Sequence, residues 1–247
     1  MDAVQVAEAL MQSRYVKADP EMRREMSGMI AHFYCELAEE ARQKSDKAAA
    51  RKWLDKALQI DKSSLRAALI AGTLDNADQR YKQAVKVLSR AAAQNPDMLA
   101  ECLPELFNAY VALDPVGGFN DILKYVETQV AQSPSTTAVL FMVDQLLHQS
   151  QSEPSRAQQA YDLLANYLSQ NPSLAGLSKL IALQLPRLSD DVAGDVASLQ
   201  SLVQQLLEKR LVYKCSNCGF AGRQLHWRCP SCKRWSCMGR VKGIEAD

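Results

Sequence analysis

Ala50-Arg51-Lys52-Trp53-Leu54-Asp55-Lys56-Ala57-Leu58-Gln59-Ile60-Asp61 recurs in outline as Ala84-Val85-Lys86-Val87-Leu88-Ser89-Arg90-Ala91-Ala92-Ala93-Gln94-Asn95, with Ala50 answering to Ala84, Leu54 to Leu88, Ala57 to Ala91 and Asp61 to Asn95. Both stretches carry Ala, Leu and Ala at i, i+4 and i+7, a spacing that puts all three on one helical face. The small residues let a neighbouring helix approach closely, and Leu fills the gap between them. The frame returns as Ile122-x3-Val126 ahead of Pro134 and as Ala160-x3-Leu164 ahead of Pro172, in units longer by about one helical turn. Each such helix runs into a turn: Asp61-Lys62-Ser63, Asn95-Pro96-Asp97, Ser133-Pro134-Ser135 and Asn171-Pro172-Ser173. Asn or Ser followed by Pro reads as an N-cap with Pro at the first helical position, and the same dipeptide stops the helix before it.

The offset between the first two stretches, roughly 34 residues, is the length of a tetratricopeptide unit. The pattern predicts first helices at about 27–43, 64–77, 98–113, 136–150 and 174–188, with companions at 46–60, 80–94, 118–133, 156–170 and 192–210. Ala38 precedes Ala50 by the same interval as Gly72 precedes Ala84, and such repeats use small residues at that place. Residues 3–13 read as the second helix of a repeat whose first is missing. The chain is therefore expected to be a fragment starting mid-repeat; a genuine start with one capping helix is the alternative. The expected fold is all-α: a partial repeat over 1–26, a tetratricopeptide-type helical solenoid over 27–210, then a small metal-binding domain over 211–247. Stacked repeats of this kind bind partner proteins more often than they catalyse.

Composition supports a packed protein. Of 247 residues, 47% are apolar and 23% charged, which excludes global disorder. Only 10 glycines argue against a turn-rich β protein or a Gly-loop nucleotide fold. Apolar runs fall short of the roughly 18 residues of a membrane span, and Met1-Asp2-Ala3-Val4 lacks the pattern of a signal peptide. Charge is uneven: Lys209–Asp247 hold nine basic residues against Glu245 and Asp247, a net +7, so the preceding part carries −6. Walker, dinucleotide, zincin and nucleophile-elbow motifs are absent, which points away from an enzyme. Cys35 and His32, three apart on one expected helix, read as core, as do Cys102 and His148.

Cys215-x2-Cys218-x10-Cys229-x2-Cys232 is a pair of C-x2-C knuckles. Four thiolates at this spacing suit tetrahedral zinc or iron, and a metal is a stronger reading than disulfides. Gly219 tolerates the tight backbone after the first knuckle and Pro230 stiffens the second. So short a module needs a staple, which the metal supplies, with Tyr213, Phe220, Trp227 and Trp235 packed around the site. A closed tetrathiolate fits a structural or electron-transfer role. His226 reads as a loop residue and Cys237 as a bystander with scope for ligand exchange. Arg223, Arg228, Lys233 and Arg234 could meet nucleic-acid phosphates, a reading ranked below docking on the acidic solenoid or on anionic lipid. If the ribbon docks on the last repeats, loss of the metal site should also destabilise helices 174–210.

Ile30-Ala31-His32-Phe33-Tyr34-Cys35-Glu36-Leu37-Ala38, and Tyr213-Lys214-Cys215 through Trp227-Arg228-Cys229-Pro230-Ser231-Cys232 and Trp235-Ser236, closely resemble the lipopolysaccharide assembly protein B family of Gram-negative bacteria. The resemblance covers essentially the whole chain. Tyr213 and Gly219 also resemble rubredoxin, whereas Lys233 stands where rubredoxins carry Gly and the ten-residue gap is shorter. The resemblance implies a non-enzymatic adaptor on the cytoplasmic face of the inner membrane, anchored by an N-terminal helix that this chain lacks. It further implies that the adaptor promotes degradation of the deacetylase LpxC by the protease FtsH, restrains lipid A synthesis, and is regulated by another inner-membrane protein. Alternative readings are a rubredoxin-like redox protein and a nucleic-acid-binding zinc ribbon.

Overall fold

The computed structural model describes residues 3–151 and 153–241. Met1, Asp2 and the last six residues of the expected metal-binding domain lie outside the described residues. Helices α1 (Ala3–Met11), α2 (Arg14–Ala18), α3 (Pro20–Gln43), α4 (Lys47–Ile60), α5 (Leu65–Ala77), α6 (Tyr81–Gln94), α7 (Leu99–Leu113), α8 (Gly118–Gln132), α9 (Thr136–Ser150), α10 (Ser155–Gln170), α11 (Leu174–Gln184) and α12 (Asp190–Glu208) come first. Strands β1 (Tyr213–Cys215), β2 (Ala221–Gly222) and β3 (Met238–Arg240) follow, in one antiparallel sheet ordered β2-β1-β3. Helical pairs of the tetratricopeptide type, ended by a ribbon, are thus the fold. The chain forms two compact units, one reaching to Ile122 and including Trp227–Cys237, the other covering Leu123–His226 and the segment from Met238.

In the first unit the small-large-small face is the core. Ala50, Leu54 and Ala57 on α4, and Ala84, Leu88 and Ala91 on α6, are buried. Gly72 on α5 is there because α6 leaves it no room: a Cβ at this position would stand 2.6 Å from Leu88 Cγ. Charged forks tie successive helices. Buried Arg66 on α5 reaches Glu36 and Glu39 on α3 at 2.7 and 2.6 Å. Arg51 on α4 holds Asp75 and Asp78 at 2.6 Å each. Asn76 on α5 donates to the Glu105 carboxylate of α7 at 2.6 Å.

In the second unit Met142, Val143 and Leu146 of α9 and Ala160 and Leu164 of α10 form the equivalent buried faces. Arg240, in β3, donates to Thr137 Oγ1 of α9 at 3.0 Å. Arg223 donates to the carbonyl of Glu208 and so caps the end of α12.

Three expectations about local structure need correction. First, α3 starts at Pro20 rather than 27, because Asp19 accepts hydrogen bonds from the amides of Glu21 and Met22 at 2.9 and 3.1 Å, with Pro20 at the first helical position. Second, the residue before each repeat proline is not the working cap. Ser135 and Ser173, each after the proline, accept from Ala138 and Gly176, at 3.3 and 3.0 Å. Asn95 and Asn171 instead donate backwards to the carbonyls of Ala91 and Tyr167, closing the preceding helices. Third, α11 ends at Gln184 and tightens into a 3-10 turn over Leu185–Arg187, where Pro186 cannot continue the ladder.

The two kinds of helical glycine should respond oppositely to alanine. Gly72→Ala forces a methyl into Leu88 and should cost about 1–3 kcal/mol in urea unfolding. Gly194→Ala, on α12 with nothing within 4 Å of the added Cβ, should stabilise by about 1 kcal/mol through helix propensity alone.

Candidate metal centre

Each knuckle is built by the same backbone device. In the first, the Gly219 amide donates to the Cys215 carbonyl at 3.0 Å and the Cys218 amide points at Cys215 Sγ at 3.5 Å. In the second, the Lys233 amide donates to the Cys229 carbonyl at 3.0 Å. The residue following each knuckle is left-handed, Gly219 at φ 77° and Lys233 at φ 61°. Gly219 adopts this freely, whereas Lys233 does so against the ordinary cost of a Cβ there, about 1–2 kcal/mol. Its ammonium group donates to the Pro230 carbonyl at 2.6 Å.

The sulfurs converge. Sγ atoms of Cys215, Cys229, Cys232 and Cys237 all lie within 4.8 Å of one another. Tetrahedral bonds of about 2.3 Å place thiolates roughly 3.8 Å apart, so a donor set of this kind fits one zinc or iron ion. Cys215 and Cys229 are buried and Cys232 is half-buried. Cys218, in the expected ligand set, is exposed and outside this group of four, whereas Cys237, read as a bystander, is inside it. Cys237 Sγ also donates to the Arg234 carbonyl at 3.2 Å.

The aromatic residues divide their work. Tyr213 is buried, and its hydroxyl and ring meet Arg240. Phe220 packs edge-on against His226, 6.4 Å between centroids. Trp227 and Trp235, expected to pack around the metal site, meet α3. Trp235 stacks on His32 at 4.5 Å and 18°, and meets Phe33 edge-on at 6.2 Å. Trp227 lies 6.3 Å from His32. Ser236 Oγ and His32 Nε2 share a 2.6 Å hydrogen bond. The second knuckle is therefore seated on α3, while Arg223 of the ribbon reaches the end of α12. Of the cations considered for nucleic acid, Lys233 and Arg228 serve the ribbon itself, Arg228 donating to the Lys233 carbonyl at 3.0 Å and lying over Trp235, whereas Arg223 caps α12.

His32 is the functional residue that pattern reading missed. It is buried as expected of a core residue, yet what buries it is the knuckle. Burial, helped by the Arg66 charge, lowers its pKa from 6.5 to about 4. The neutral ring is thus the docked form. Cys35 and Cys102 are plain core: burial pushes both thiols up to about 12, far from a nucleophile's range.

Fold and site together define a tetratricopeptide-type helical-repeat protein with a C-terminal tetracysteine ribbon. Residues 213–239 match a family model described as the rubredoxin metal binding domain. Over 217 residues, 87% of this chain, the sequence is 29% identical to lipopolysaccharide assembly protein B of Escherichia coli K12 and 27% identical to that of Haemophilus influenzae. The chain is thus similar to lipopolysaccharide assembly protein B, in agreement with the resemblance of its motifs. It spans about half the length of these curated relatives, 54% and 52%. The crystal structure of YrrB, a TPR protein with an unusual peptide-binding site, matches with a TM-score of 0.41 at 16% identity, covering 82% of this chain and 94% of that one.

The docking carries a pH signature. Between pH 6.5 and about 4 an unfolded or undocked chain takes up a proton on His32 that the docked state refuses. Docking stability is therefore complete above 6.5 and falls as pH drops through that window, by up to roughly 3 kcal/mol. The His32 ring resonances should titrate near pH 4; a midpoint at the ordinary 6.5 would show the ring open to solvent.

Proposed function

We propose that this chain is the partner-binding portion of a non-enzymatic adaptor in lipopolysaccharide assembly. In this reading it works at the cytoplasmic face of the inner membrane and promotes FtsH-dependent proteolysis of LpxC. The observation that carries the reading is the similarity to lipopolysaccharide assembly protein B across 87% of the chain, repeats and ribbon together. The architecture supports it, since repeats offer helical faces to protein partners. Among the described residues no helix is long and apolar enough to cross a membrane.

The ribbon serves this function by staying folded. In this reading Cys215, Cys218, Cys229 and Cys232 are its ligands, supported by the paired C-x2-C spacing, with Cys237, which lies among the converging sulfurs, as the competing thiol. Bound there, zinc or iron supplies a closed four-sulfur staple with no vacant position for substrate. The seat of Trp227–Cys237 on α3 ties that staple to the repeats.

Cobalt substitution tests the ligand set. The sulfur-to-cobalt charge-transfer bands of a four-thiolate site should survive Cys237→Ser and weaken in Cys218→Ser; the reverse pattern assigns the fourth position to Cys237.

Affinity capture from inner-membrane extract tests the adaptor reading. The intact chain should retain FtsH or LpxC, and the Cys215→Ser/Cys229→Ser variant should lose it. Equal retention by the variant would place binding in the repeats without help from the ribbon. Failure of both to retain either protein would count against the reading for this chain.

A further inference from the structure

A groove of about 390 Å³ opens between α4, α5 and α6, all in the first unit. Leu58, Ala71 and Val87 give it an apolar floor, and exposed Lys62, Lys86 and Arg90 stand around it. These three cations form no ion pair with the described residues. Two further cations are engaged: Arg51 is taken by Asp75 and Asp78, and Arg80 lies 3.6 Å from Asp75. Asp55 also lines the groove and works against it as an anion site. Five cations against Asp55 and Asp75 still leave the lining at net +3. Residues 1–208 carry −6 overall, so the groove is a local reversal of the charge around it.

We propose that this groove binds an extended acidic segment of a partner protein. One aliphatic side chain rests on Leu58, Ala71 and Val87, and flanking carboxylates reach Lys62, Lys86 and Arg90. The volume suits a few side chains and lies within the range of ligand pockets. The lining contains no aromatic residue, so single-stranded nucleic acid would find no stacking platform. A recessed floor also fits a peptide better than a flat headgroup surface. The inference rests on the adaptor reading and adds to it the chemistry of one docking segment.

Fluorescence anisotropy with the full chain tests it, using a short synthetic peptide of aspartate and glutamate around one central leucine. Binding should be saturable and weaken with salt. Lys86→Glu/Arg90→Glu should weaken it at least about tenfold. Lys52→Glu/Lys82→Glu, which reverses exposed cations on the same helices outside the groove, should leave affinity unchanged. Circular dichroism confirms that both variants fold. Equal loss in the two variants, or equal binding of a lysine-for-acid peptide, would overturn the proposal. So would binding to phosphatidylglycerol vesicles that falls with Lys86→Glu/Arg90→Glu while the peptide does not bind. Retention of FtsH or LpxC without peptide binding would retire the groove and leave the adaptor reading intact.

Discussion

The second knuckle has almost no interior of its own. Between Trp227 and Cys237 only Cys229 is fully buried, so its two tryptophans must find apolar surface elsewhere. Helix α3 provides it. Trp235 lies flat on His32, Phe33 meets its edge, and Ser236 satisfies the imidazole nitrogen that faces it. A stacked aromatic pair and one part-buried hydrogen bond are each worth about 1 kcal/mol. Neither would hold a loose loop. They become effective when the loop is fixed beforehand, as a metal held by the converging sulfurs would fix it.

The same contact explains why α3 is shaped as it is. Ile30, Ala31, Tyr34, Cys35 and Ala38 face the repeat core and are buried, while His32 leaves that core to meet the knuckle. Burial discourages protonation of His32, and the charge of Arg66, held by Glu36 and Glu39, adds to it against the opposing charges of Asp61 and Glu36. Helix, ion-pair fork and ribbon therefore share one electrostatic requirement: the ring must stay neutral. The chemistry required of this region is cohesion.

Much of the repeat architecture was legible because it depends on short-range pattern. Ala50, Leu54 and Ala57, and their counterparts Ala84, Leu88 and Ala91, announce both the helix and its buried face, and Gly72 marks where two helices nearly touch. The tail was equally open, since C-x2-C pairs have few other uses. Less legible were features set by three-dimensional partners. Ser135 and Ser173 cap their helices although the preceding Asn or Ser looked equally able; only the backbone conformation separates them. The Asp19-Pro20 pair was a readable start signal for α3 that the repeat frame obscured. His32 looked like any histidine on an apolar face, because its partners lie some 200 positions away. The place of Cys237 among the sulfurs could not be counted from spacing, since the turn after Lys233 returns it toward Cys229 and Cys232.

Hydrogen exchange across α3, with the metal in place and after chelation of the intact chain, tests the central claim most directly. If the metal-fixed knuckle is seated through His32, chelation should strip protection from the ribbon and also speed exchange in α3 around Ile30–Cys35. Helix α6, which makes no contact with the knuckle in this account, should be unaffected. Loss of protection confined to the ribbon, with α3 unchanged, would contradict it.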